Sequence, residues 1–440
     1  MTGLQVLTAA GEPTEAYAHR ESQLQRALIA YIVSGLLFML LPGTFLGVWN
    51  LISISNQHHL EALRPAWLQV HGHAQIFGWI GTFVLGIGFY SLSKMGQLPA
   101  YAISRAWCAF ALWIAGALMR WFTGVTEWQW RILLPVSALL ELTAFLLFFR
   151  TVSGHRSSQS GSHRSPEGWM WMVIASTLGF LFSLTLNLAA ALHAAWLGVG
   201  PALPHGPDQR LVALQTWGFL VPAIWGFNAR WLPVFLGTGS PRMKWLFAAL
   251  AGAWISLLAG FFQQPEFSAA VLPIAAMCSI IALRVWEKSV QPAKTQGVHP
   301  TFPLFVRIAY VWLLVSAVLW VWAAWADRNG GIWGAARHAL TVGFISTMVF
   351  CIGQRILPAF GGARVLYSPR LMLLSLVAIT VGCFLRVVSE IPAYEGYWAG
   401  AWHILPCSAI IEMAAVSLFA ANLIATFMQP PAHLRPSMAS

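Results

Sequence analysis

The sequence predicts an all-α polytopic membrane protein, with about twelve transmembrane helices in three pseudo-threefold four-helix arcs. Hydrophobic residues make up 58% of the 440 and charged residues only 9%. Mean hydropathy is +0.67, far outside soluble globular averages. Apolar stretches of roughly 20 residues, enough to cross a bilayer, are centred at about residues 38, 80, 110, 141, 182, 222, 253, 276, 314, 346, 380 and 414. Every fourth stretch carries related residues, which is the signature of an internal repeat.

Residues 1–26 contain Glu12, Glu15 and Glu21 and lack a basic start followed by a short apolar core. They read as a cytoplasmic tail and not as a signal peptide. The transmembrane domain then runs over 27–427, in arcs of about 27–150, 168–286 and 303–427, and 428–440 form a second cytoplasmic tail. Lysines and arginines set the orientation. Sixteen fall in the tails and even-numbered connections, Arg20, Arg26, Arg150 and Arg242 among them, against Arg64, Arg131, Arg210, Arg328 and Arg337 on the opposite side. Both termini are therefore expected in the cytoplasm, in a bacterial-type inner membrane. The formal charge of +11 follows from this bias, so no nucleic-acid partner is inferred. Gly154 to Pro166, rich in Ser, Gly and basic residues, reads as a cytosolic linker after the fourth span. Cys108, Cys278, Cys351, Cys383 and Cys407 have no paired spacing, which supports neither disulfides nor a zinc or iron–sulfur site.

The second span, around Trp67 to Met95, carries two histidines and five glycines. A polar ring inside a membrane asks for a partner. His71 and His73 are two apart, point to different sides of a helix and cannot serve one neighbour. HAQIFGWIGTFVLGIGFYSL from His73 aligns without gaps on HALTVGFISTMVFCIGQRIL from His338, and Ala213 begins a third copy. The second, sixth and tenth spans are thus equivalent. LLPVSALLEL from Leu133, VLPIAAMCSI from Val271 and ILPCSAIIEM from Ile404 relate the fourth, eighth and twelfth spans. They set Glu141 over Glu412, with Ser279 in the middle copy. GALMR and GCFLR, ending at Arg120 and Arg386, relate the third and eleventh. Glu141 and Glu412 are the acids expected deep in spans.

Twelve helices in three arcs resemble subunit I of the haem-copper oxidases. The text HGHAQIFG at His71 to Gly78 and RHALTVGFISTMVFCIGQR at Arg337 to Arg355 is similar to the NnrS family, a haem- and copper-containing membrane group linked to nitric oxide stress. The fold resemblance covers nearly the whole chain and the motif resemblance only these two spans. Where the oxidases carry histidines in the sixth and seventh spans, this chain carries none, and its tenth has one. Oxygen reduction at their dinuclear centre is therefore not expected.

The resemblance implies a haem held by His73 and His338, with Arg120 and Arg386 as partners of its propionates. It would be of type b, since no CxxCH motif occurs. His403 at the start of the twelfth span is expected to join His71 or His193 at a copper site. The function implied is relief of nitrosative stress through nitric oxide, with lipid, that gas and an electron donor as partners. Two other readings stay open: a nitric oxide reductase-like enzyme, which needs a second metal and a proton path, and a transporter or structural protein whose histidines only hydrogen-bond.

Overall fold

In a computed structural model, residues 14–59, 63–96, 101–158, 167–362 and 364–430 are described. Among the described residues, twelve helices are long and apolar enough to cross a membrane: α1 His19–Gln57, α2 Pro65–Ser91, α3 Ala102–Thr126, α4 Trp130–Ser153, α5 Gly168–Leu197, α6 His205–Leu236, α7 Met243–Phe261, α8 Pro265–Leu283, α9 Phe302–Ala326, α10 Gly331–Phe360, α11 Pro369–Tyr394 and α12 Ala401–Met428. No strand occurs among the described residues. That is the economical answer to a bilayer, where each helix satisfies its own backbone. Large apolar side chains such as Leu139, Phe182, Ile274, Phe384 and Ile410 point outward, where lipid is their solvent.

The arcs pack as repeats. In each, the third and fourth helices form the tightest hairpin: α3 with α4, α7 with α8, α11 with α12. The seams between arcs are equivalent too. α4 packs on α5, α8 on α9, and α12 returns to α1, which closes the ring. The second helix of each arc lies innermost: 72%, 67% and 67% of the apolar stretches of α2, α6 and α10 is buried, against at most 56% in any other span.

A register marker confirms the alignment. The helix widens into π-helical turns over Ala74–Gly81, Leu214–Leu220 and Ala339–Ser346, each starting one residue after His73, Ala213 or His338. π turns add a residue to the helical ladder and often sit at functional sites. α1 carries another at Met39–Phe45, around Pro42.

Two boundaries differ from the sequence expectation. The first helix begins at Thr14, inside the expected tail, and Tyr90 of α2 donates to Glu21 at 2.9 Å. α11 continues past Arg386 to Tyr394, so a third acid, Glu390, is buried in a span. Residues 1–13, 159–166 and 431–440, which hold most of the linker and of both tails, lie outside the described residues.

Candidate functional site

A cavity of about 1060 Å³ opens at the end where α2, α6 and α10 begin. Its volume is that of a site for a sizeable organic ligand. His71, His73, His338, Arg120 and Arg386 all line it, among apolar neighbours such as Ile76, Trp79, Val342, Ile379 and Val416.

On the seam between the third and first arcs, His71 and His338 are held alike. His71 Nδ1 lies 2.8 Å from the Gly43 carbonyl in the π segment of α1, and His338 Nδ1 lies 2.8 Å from the Gly334 carbonyl. A carbonyl only accepts, so Nδ1 donates in both rings and Nε2 is left out of that bond. Gly47 makes the His71 placement possible, since a Cβ there would lie 2.6 Å from the ring. The two imidazoles are close enough to interact electrostatically, and Arg386 belongs to the same group. Glu390 braces the His338 side. Its Oε2 is 3.0 Å from His338 Nδ1, and Arg386 reaches its two oxygens at 3.2 and 3.3 Å.

His73 faces elsewhere. Its Nε2 lies 3.1 Å from the Glu141 carboxylate, which also accepts from Asn187 Nδ2 at 3.4 Å. Glu141 is fully buried in a notch made by Gly116, where a Cβ would meet Glu141 Cγ at 2.8 Å. Gly382 makes the same notch for Glu412, at 2.6 Å. In the middle arc Gly252 faces Ala275. There Ser256 and Ser279 stand where the other arcs have Arg120 or Arg386 and Glu141 or Glu412. The arc with Ala213 at the register of His73 and His338 thus also lacks the arginine and the glutamate.

Of the residues singled out by sequence, His71, His338 and Arg386 come together, while His73 and Arg120 occupy another flank of the cavity. The expected pairing of His73 with His338 therefore meets a competing claim on His73 Nε2 from Glu141. Gly78 and Gly343 are covered by Phe38 and Trp312 of the preceding spans, so they serve helix packing. His193 and His403 are exposed and line no part of the cavity. Among the described residues no group of three or more His, Cys, Asp or Glu could hold a metal ion. The copper site expected from sequence joins His403 to His71 or His193; of these three only His71 lines the cavity, while the rings of His193 and His403 are exposed. Sequence reasoning missed Glu390 and Asp208; the (i, i+4) spacing from Arg386 was the signal for Glu390.

A family profile described as NnrS protein matches residues 21–430. The chain superposes on a chain from a cryo-EM structure of a heme-copper terminal oxidase dimer with a TM-score of 0.69, at 12% identity, over 93% of this chain and 84% of that one. At that identity the likeness concerns the fold. No curated protein matches.

Proposed function

The chain belongs to the NnrS family, and on that premise we propose that it is a haem-binding protein of the cytoplasmic membrane that relieves nitrosative stress by acting on nitric oxide or its metal complexes. One observation carries the haem reading: His71 and His338 line one cavity with Nδ1 fixed on a carbonyl and Nε2 free. A hydrogen-bonded Nδ1 orients a ligating imidazole and raises its basicity.

The residues present fit the group. The imidazoles of His71 and His338 would supply two ligating nitrogens, the cavity is large and mostly apolar, and Arg386 would bring a guanidinium to a carboxylate-bearing cofactor. The absence of any CxxCH motif makes the attachment non-covalent, as in a b-type haem. Such a group, when bound, supplies a one-electron centre whose potential depends on its ligands and burial. The chain's part is to hold both rings in one tautomer, with Glu390 bracing His338 and Gly47 admitting His71. The nitric oxide assignment rests on the family resemblance and on the apolar cavity walls, which suit a small uncharged gas. The residues expected to hold copper do not fit it, so the reading contains no second metal.

The orientation proposed, with both termini cytoplasmic, rests on the basic bias of the loops. It puts the cavity mouth on the outer side. Absorbance of the purified full-length protein, with haem extracted and quantified, tests the reading. One non-covalent haem per chain with low-spin bands is expected; a colourless protein that takes up no added haem would end it.

A further inference from the structure

Arg120 is 3% exposed and lines the cavity. Its Nε and Nη1 are buried without a hydrogen-bond partner, and no ion pair holds its guanidinium among the described residues. A guanidinium stays charged in a protein, and a charge inside a membrane needs a partner.

The repeat shows what is missing. Arg386, the copy of Arg120 in the third arc, is neutralised by Glu390 four residues on. The matching position after Arg120 is Gly124, and Val70 fills the space beside it. Two carboxylates lie within electrostatic reach of Arg120, Glu141 and Asp208. Glu141 is already engaged by His73 and Asn187. Asp208 lies within electrostatic reach of both Arg120 and Arg337, and among the described residues neither it nor Glu141 forms an ion pair or hydrogen bond with the Arg120 guanidinium. The indole Nε1 of Trp217, on the same cavity wall, also lacks an acceptor.

We propose that Arg120 is the binding site of a small planar oxyanion, with the two coplanar oxygens that nitrite and simple carboxylates share. A planar fork of N–H donors matches that shape in two-point contact. Entry is open, because the cavity reaches the exposed His205 and Gly206 at the start of α6. A haem propionate offers the same chemistry from within the cavity that Arg120 and Arg386 both line, and the haem-loaded and haem-stripped titrations distinguish it from a free anion. The inference extends the haem reading without depending on it.

Titration calorimetry with sodium nitrite and sodium formate, against sodium chloride as the shape control, tests this on full-length protein in detergent, haem-loaded and haem-stripped. Both planar anions should bind both forms and chloride neither, and Arg120→Gln should weaken binding about tenfold or more. Arg120→Lys, which keeps the charge but loses the fork, should weaken it too, and it serves as the variant if Arg120→Gln does not fold. Binding to the stripped form alone would assign Arg120 to a haem carboxylate and overturn the proposal. No binding, or unchanged binding in the variants, would overturn it equally. A protein that carries no haem would sink the haem reading and leave this titration readable.

Discussion

His71 and His73 stand two residues apart on α2, and the helix sends them to different partners. That much is legible from spacing; which of them meets His338 is not, because it depends on the π turn that begins at Ala74 and on the Gly43 carbonyl of another helix. Glu390 is hidden for a different reason. A charge at Arg386 followed by Pro392 reads as a helix end, yet α11 runs on to Tyr394 and carries the carboxylate inside. Glu390→Gln should leave Arg386 buried without its counter-ion, a loss of about 3 kcal/mol. A lower unfolding midpoint in detergent and a smaller low-spin haem fraction are expected together. Unchanged values in both would show that Glu390 does not brace this side.

At the scale of elements, the hairpins α3–α4 and α11–α12 depend on a glycine facing a glutamate. A Cβ at Gly116 would meet the Ser137 carbonyl at 2.9 Å as well as the Glu141 stem, and one at Gly382 would meet the Ser408 carbonyl at 3.3 Å. Because backbone stands in the way, Gly116→Val and Gly382→Val should each destabilise by about 1–3 kcal/mol through overpacking, measured by thermal unfolding. Wild-type melting in either variant would mean the notch is not needed. The pairing of Glu141 with Glu412 was readable from the repeat. Their unequal surroundings were not: Glu141 Oε2 takes His73 and Asn187, whereas among the described residues Glu412 faces neither a histidine nor an asparagine in the same way, a difference set by side-chain direction and not by spacing.

For the molecule as a whole, the twelve spans and their threefold order were legible because lipid imposes length and hydropathy on every span, and because the repeat survives in both the α2, α6, α10 set and the α4, α8, α12 set. Ring closure through α12 and α1 was not, since it needs contacts between the two ends of the chain. The loop bias predicts that Ser160→Cys is labelled by an impermeant thiol reagent only after the membrane is permeabilised. Labelling in intact spheroplasts would reverse the orientation and move the cavity mouth to the cytoplasm.

The central claim is that His71 and His338, and not His73, ligate one haem, and electron paramagnetic resonance of the oxidised protein tests it most directly. His71→Ala and His338→Ala should each replace the low-spin signal with a high-spin one or lose the haem, while His73→Ala should keep the low-spin signal at full occupancy. A low-spin signal that survives His71→Ala and disappears in His73→Ala would contradict the account.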